Sequence, residues 1–240
     1  MRFAFISDIH GNLQALDLVL ADLEHARIDQ LVCLGDIASL GPQPREVIAR
    51  LQQLDLPTIM GNHETYLLNP SLTDNHHPWL RATELWCLSQ LTTDDLNYLA
   101  SFKSQFCYQA SNTSILCFHG SPRSNEEFLH PNASTELLDE VFTGHAAKIM
   151  IGGHTHIQMV RHHRRITLLN PGSVGMPFEF PMTGPNQHAI RRAEYAIVDI
   201  ADDRISIDLH QLPLDFDHLA QVSRASGMPD VEFWLSTWTV

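Results

Sequence analysis

Carboxylate, imidazole and carboxamide side chains gather in five short clusters along the chain: Asp8-Ile9-His10, Gly35-Asp36, Gly61-Asn62-His63-Glu64, Phe118-His119-Gly120 and Gly153-His154-Thr155-His156. Most stand where an apolar run of strand character stops. Carboxylate oxygen and imidazole nitrogen together suit divalent cations such as Mn2+, Fe2+ and Zn2+, whereas Ca2+ takes mostly oxygen and structural zinc takes thiolates. No cysteine belongs to any cluster. Such side chains, delivered from several strand ends to one point, are what a two-metal hydrolytic centre needs. Two ions about 3.5–4 Å apart need a shared anionic ligand to offset their repulsion, and Asp36 is the natural bridge. The spacing Asp8-x-His10, repeated in His154-x-His156, suits a chain leaving a strand, because alternate side chains project the same way.

Each cluster alone is weak evidence, since an isolated Asp-x-His or His-x-His is more often a coincidence than a ligand pair. The ordered set from residue 8 to residue 156 resembles the calcineurin-like metallophosphoesterases. Their signature runs Asp-x-His, Gly-Asp-x-x-x-x-Gly, Gly-Asn-His-Asp/Glu, a glycine-flanked His and Gly-His-x-His. Here Gly35-Asp36-Ile37-Ala38-Ser39-Leu40-Gly41 takes the second place and Gly61-Asn62-His63-Glu64 the third. Ser7-Asp8-Ile9-His10-Gly11-Asn12, His119-Gly120-Ser121-Pro122 and Asn170-Pro171-Gly172-Ser173-Val174-Gly175 are similar to the small bacterial and archaeal branch, the YfcE-type phosphodiesterases.

The resemblance implies one metal held by Asp8, His10 and His156, a second held by Asn62, His119 and His154, and Asp36 bridging both. It places His63 over the phosphate without ligating metal, with Glu64 available to orient it; His63, Asp36 and Glu64 are the implied catalytic set. Two divalent ions per chain are expected, Mn2+ first, with Fe, Zn2+, Ni2+ or Co2+ as alternatives. Asn12, Arg123, Arg191 and Arg192 are carried as substrate-contact candidates, against the alternative that the Arg191-Arg192 pair is ordinary solvated charge. The segment Met176 to Arg192 departs from the related chains, which often place an Arg where Phe178 follows Pro177. Its prolines and polar residues predict an irregular excursion.

The implied reaction is in-line attack on phosphorus by hydroxide bridging the two metals, with His63 protonating the departing alkoxide. A net charge of −13 argues against a nucleic-acid surface, which relies on basic side chains to replace counterions. Two divalent cations, offset by Asp8, Asp36 and one hydroxide, still leave about +1 at the centre. Anionic substrate is then attracted at the metals and repelled elsewhere, which favours a small ester: a nucleotide-type phosphodiester or a dinucleoside polyphosphate. A phosphomonoesterase or serine/threonine protein phosphatase is the alternative, because fold does not decide substrate. A metal-free scaffold is disfavoured because every ligand position is intact. No stable nucleic-acid or membrane partner is expected, and a homodimer is left open.

With 240 residues and 44% apolar content, the chain can bury a substantial core as one α/β domain. Its four cysteines, Cys33, Cys87, Cys107 and Cys117, form no C-x-x-C pair. Reduced thiols, and so a cytoplasmic protein, are the expectation. The N-terminus enters a strand with no charged-then-apolar leader, and no apolar stretch approaches the roughly 20 residues of a membrane span.

Hydrophobic periodicity predicts strand Arg2–Ser7, helix Leu13–Glu24, strand Leu31–Leu34, a helix from Pro44 to Leu54, and strand Thr58–Met60. Between residues 65 and 104 a helical insertion is expected, with helices Pro78–Leu91 and Thr92–Phe102. Its rings Trp79 and Trp86 either pack on the body or cap the substrate. Strands are expected at Ile115–Phe118, Lys148–Ile151, Gln158–His162, Ile166–Leu169, Glu194–Ile200 and Arg204–Leu209, with helix Ser134–Phe142 among them and a turn at Asp202-Asp203. The predicted architecture is two face-to-face mixed β-sheets flanked by helices, an α/β/β/α arrangement. The first half of the chain is expected to build one sheet and the second half the other.

Overall fold

The computed structural model describes residues 1–181, 188–202 and 204–239. Asp203 of the expected turn and residues 182–187 of the expected excursion lie outside the described residues. The first half of the chain contains β1 (Arg2–Ile6), α1 (Leu13–Leu23), β2 (Gln30–Cys33), α2 (Pro44–Leu54), α3 (Asn62–Leu68), α4 (Pro78–Gln90) and α5 (Thr93–Ala100). The second half contains β3 (Phe106–Ala110), β4 (Thr113–Cys117), α6 (Thr135–Phe142), β5 (Ile149–Ile151), β6 (Met159–His163) and β7 (Ile166–Asn170). It continues with β8 (Ala189–Ile190), β9 (Arg192–Ala201), β10 (Arg204–Pro213), α7 (Phe216–Ser226), α8 (Val231–Ser236) and β11 (Trp238–Thr239).

Among the described residues two large sheets, ordered β10-β9-β1-β2 and β3-β4-β5-β7-β6, are accompanied by a small parallel pair of β11 with β8. The period-two alternation of a strand sorts their side chains into layers. Phe3 and Phe5 of β1 point between the sheets and meet Ile115, Cys117, Ile149 and Ile151. Ala4 and Ile6 point the other way, into a cluster with Leu16 and Val19 of α1 and Val47, Ile48 and Leu51 of α2. On the far side, Leu116, Met150 and Leu168 meet Leu138, Val141 and Phe142 of α6. Helix, sheet, sheet and helix therefore stack as four layers.

The division of the chain between the sheets differs from expectation. β9 crosses back to pair antiparallel with β1, aligning Arg2 with Asp199 and Phe5 with Ala196, while β2 holds the other edge of β1 in parallel. Phe3 to Ile6 are buried completely, so both edges of this strand need backbone partners, and the last hairpin supplies one. The strand expected at Thr58–Met60 is reduced to bridges from Thr58 to Cys33 and from Ile59 to Lys103. The chain turns at once into α3, which absorbs the third cluster. β3, a five-residue edge strand whose burial pattern leaves Cys107 and Gln109 exposed, is absent from the sequence-based expectation, as are α7 and α8.

Trp79 stands edge-on to Phe233 of α8, with ring centroids 5.7 Å apart. Trp86 lines a separate cleft with Pro42, Pro44 and Arg45. Both rings pack against the large core cluster, in line with the body-packing alternative. All four cysteines are free thiols, and only Cys107 is exposed. Among the described residues no helix is long and apolar enough to cross a membrane.

Candidate metal centre

The five clusters converge where strands and loops meet. Asp8 and His10 follow β1, Asp36 follows β2, Asn62 and His63 open α3, His119 follows β4, and His154 and His156 follow β5. Side chains leaving the carboxyl ends of strands in an α/β fold commonly meet at one crevice. Among the described residues, three groups have ligand atoms within 4.8 Å of one another: Asp8 with His10 and His156, His10 with Asp36 and His63, and Asp36 with His119 and His154. Asp36 Oδ2 stands between the rings, 3.1 Å from His119 Nε2 and 4.0 Å from His10 Nε2.

Backbone carbonyls set the imidazole orientations. Nδ1 of His10 faces Ser39 O at 3.0 Å, Nδ1 of His119 faces Leu34 O at 2.7 Å, and Nδ1 of His156 faces Met176 O at 2.6 Å. Donation to these carbonyls leaves each Nε2 lone pair pointing inward. His10 Nε2 and His156 Nε2 lie 2.9 Å apart, a contact that two lone pairs cannot satisfy between themselves. It suits neighbouring ligands of one cation with bonds of about 2.1 Å. Asp8 Oδ1 lies 3.4 Å from His156 Nε2, and this buried oxygen has no hydrogen-bond partner. His154 uses Nε2 on Glu126 O at 3.1 Å, leaving Nδ1 as its ligating atom. His119 Nε2 faces two oxygens, Asp36 Oδ2 and Asn62 Oδ1, the latter at 3.0 Å. A proton or a metal ion is required between them. The donor set and its unsatisfied atoms therefore fit bound divalent metal.

Burial lowers His10 to about 3 and His154 to about 4, so both rings are neutral and free to ligate at neutral pH. Burial disfavours the Asp8 anion, but His156 and His119 more than offset this and hold the carboxyl at about 2. Burial also opposes ionisation of Asp36, yet His119 and His63 keep it well below the usual carboxylate range. For His119 and His63 burial favours the neutral ring and is again outweighed. Asp36 and Asp8 raise His119 to about 10, while Asp36 and Glu84 raise His63 to about 9.

Local backbone strain accompanies this convergence. Asp8, His10, Asp36, His154 and His156 all have φ between +47° and +67°, the left-handed region where non-glycine residues cost roughly 1–2 kcal/mol each. Close approach of neighbouring loops holds them there. A Cβ on Gly175 would come 1.8 Å from Ile9 O, between the two ligands of the first cluster. Gly175 N–H also donates to Asp8 O at 3.0 Å.

Several expected roles fall elsewhere. Glu64 does not orient His63: its carboxylate accepts the backbone N–H groups of Asp36, Ile37 and Gly61 at 2.8–2.9 Å. It thereby fixes the loop that carries Asp36 to the start of α3. Burial and the Asp36 charge raise Glu64 to about 7. The carboxylate bonded to His63 Nδ1 is Glu84 of α4, 3% exposed. No motif marks Glu84; the available signal was an acidic residue among the apolar positions of α4. Asn12 is buried and committed to the fold, its Oδ1 capping α1 at Ala15 N–H (3.1 Å) and its Nδ2 donating to Gly175 O (3.0 Å). Arg123 is held by Glu127 at 2.8 Å and Glu140 at 2.6 Å. Arg191 lies over the Phe216 ring, and Arg192 Nε donates to Glu194 at 2.7 Å.

A cavity of about 380 Å³ opens over Asp36, Asn62, His63, His154 and His156. Tyr66, Glu126, Phe128, Phe178, Leu80 and Met176 complete most of its wall, and none of the three arginines reaches it.

Residues 1–203 match the calcineurin-like phosphoesterase superfamily domain. An uncharacterized protein of Methanocaldococcus jannaschii is 29% identical over 221 residues, 85% of each chain. The crystal structure of a metallophosphoesterase from Sphaerobacter thermophilus superposes with a TM-score of 0.75 at 26% identity, covering 99% of this chain and 98% of the other. A hypothetical protein from Pyrococcus horikoshii gives a TM-score of 0.83 at 20% identity over 98% of this chain and 97% of its own, which supports the fold. With its ligand-type clusters drawn into one crevice between two sheets, the chain belongs to the calcineurin-like phosphoesterase superfamily.

Proposed function

We propose that the protein is a two-metal phosphodiesterase for small nucleotide-type diesters or dinucleoside polyphosphates, using Mn2+ in the cytoplasm and binding neither nucleic acid nor membrane. Asp8, His10 and His156 would hold one ion and Asn62, His119 and His154 the other, with Asp36 shared. Bound there, divalent ions supply Lewis-acid contact to phosphate oxygens and lower the pKa of water so that hydroxide is available near neutral pH.

The chain's own residues account for the remaining chemistry. His63 Nδ1 donates to Glu84, leaving Nε2–H as the ring's available donor. The ring lines the cavity, and the neighbouring Asp36 and Glu84 carboxylates favour its protonated form, the form a general acid for a departing alkoxide must take. Glu84 acts as a positioning residue by fixing which ring nitrogen faces the cavity. Glu64, through its three backbone bonds, holds Asp36 against α3.

The observation carrying the diester preference is the charge of the cavity wall. Among the described residues its lining contains no Lys or Arg and contains the carboxylate of Glu126. A monoester dianion gains most from an arginine or lysine clamp beside the metals, whereas a diester monoanion needs less positive charge. Reconstituted enzyme should therefore show higher kcat/KM for bis(p-nitrophenyl) phosphate than for p-nitrophenyl phosphate. A monoester preference with Mn2+, Co2+ and Ni2+ alike would overturn this reading and favour a phosphatase.

A further inference from the structure

Two rings stand on the imidazoles of the crevice, Phe178 half-buried and Phe128 exposed. Phe178 stacks on His156, with centroids 4.5 Å apart and planes 13° apart. Phe128 stacks on His154 at 4.1 Å and 29°. His130 lies nearly parallel to Phe128, at 5.4 Å and 3°. Phe128 keeps 52% of its surface exposed although it borders the cavity lined by Asp36, Asn62 and His63. Leu80 and Met176 extend the apolar wall, while Tyr66 and Glu126 form a polar edge in which the Tyr66 hydroxyl donates to Glu126 Oε1 at 3.0 Å.

We propose that Phe128 and Phe178 form a subsite for a planar aromatic substituent of the phosphate ester, with Glu126 accepting a hydrogen bond from that substituent. Both rings lean on the histidines expected to ligate metal, so they flank the position where phosphorus must sit. A group esterified to that phosphorus is delivered to the exposed surface of Phe128 and to the part of Phe178 that lines the cavity. Aromatic faces stack on any planar ring of suitable size, and the adjacent carboxylate selects a ring system carrying N–H or O–H donors. The ligand class is a nucleoside-type ester rather than an alkyl or glycerol ester. Trp79 and Trp86 cannot serve, since one packs on Phe233 and the other lines a different cleft.

The inference rests on the phosphodiesterase reading for the reaction, but its binding contact can be tested separately. Two diesters share p-nitrophenolate as leaving group: the p-nitrophenyl ester of thymidine 5'-phosphate and ethyl p-nitrophenyl phosphate. Mn2+-loaded protein should favour the thymidine ester in kcat/KM by about 10-fold or more, the scale of one stacked base. Phe128→Leu and Phe178→Leu, which keep apolar bulk, should each pull that ratio toward unity. Saturation-transfer NMR with thymidine alone should show contact at the base protons in the parent, weakened in both variants. Equal use of both diesters by the parent, or ratios unmoved in folded variants, overturns the subsite and leaves the phosphodiesterase reading standing. Hydrolysis of neither diester, with thymidine contact intact and lost in the variants, overturns the reaction and keeps the subsite.

Discussion

Asp36→Asn is expected to lower hydrolysis by on the order of 10³-fold or more and to weaken the binding of both metal ions together. The carboxylate stands within 4.0 Å of His10 Nε2 on one side and 3.1 Å of His119 Nε2 on the other. Neutralising it removes the anion that lies between the two ligand groups, while the other ligands keep their places. The carboxamide retains the oxygen that accepts His63 N–H at 2.9 Å, so α3 should stay anchored and the variant should fold. Elemental analysis after reconstitution and dialysis is the measurement. Loss of both ions accords with a shared ligand. Retention of one full equivalent with normal affinity would confine Asp36 to a single site, and a parent protein binding at most one ion would reject the two-metal scheme altogether.

His63→Ala should retain metal and lose roughly 10²–10⁴-fold in kcat on a diester with an alkyl leaving group. The loss should be smaller for p-nitrophenolate, which departs without protonation. Glu84→Gln should reproduce this leaving-group dependence in weaker form, because it keeps a partner at Nδ1 but removes the charge that helps raise His63. The sign follows directly: the acid form is lost as pH rises through the His63 pKa, and removing Glu84 lowers that pKa. The alkaline limb of the rate profile for alkyl esters should therefore move to lower pH in Glu84→Gln. Identical losses on both leaving groups would remove the general-acid assignment, and an unmoved limb would reduce Glu84 to a packing role.

What the sequence disclosed and what it concealed have different physical origins. Asp8, His10, Asp36, His119, His154 and His156 lie in loops following β1, β2, β4 and β5, so each cluster abuts an apolar run with period-two alternation, and both signals are local. Glu84 and Phe128 were concealed because their positions at the site depend on how α4 and the loop after β4 fold back, contacts remote in sequence. The arginines misled for the same reason. Charge and proximity to a motif suggest substrate contact, but Glu127, Glu140 and Glu194 claim Arg123 and Arg192, and Phe216 covers Arg191. The assignment of β9 to the first sheet was equally nonlocal, since an antiparallel return to β1 and a continuation of the second sheet have the same strand pattern in the chain.

The left-handed backbone at Asp8, His10, Asp36, His154 and His156 restricts which donors these positions can accept. Asp, Asn and His enter this region several-fold more readily than other non-glycine residues, whereas a longer side chain such as Glu lacks that tolerance. Carboxylate chemistry alone would treat Asp8→Glu as the mild change and Asp8→Asn as the severe one. For folding the order should reverse. In chelator, Asp8→Asn, which loses the attraction of His156 and His119 for the carboxylate, is expected to unfold below the parent's denaturation midpoint and Asp8→Glu below Asp8→Asn, a comparison that needs no metal and no substrate. Conformation at each loop thus selects the ligand before the cation does, and an exchange toward glutamate-rich coordination would require rebuilding the loops as well as replacing the side chains.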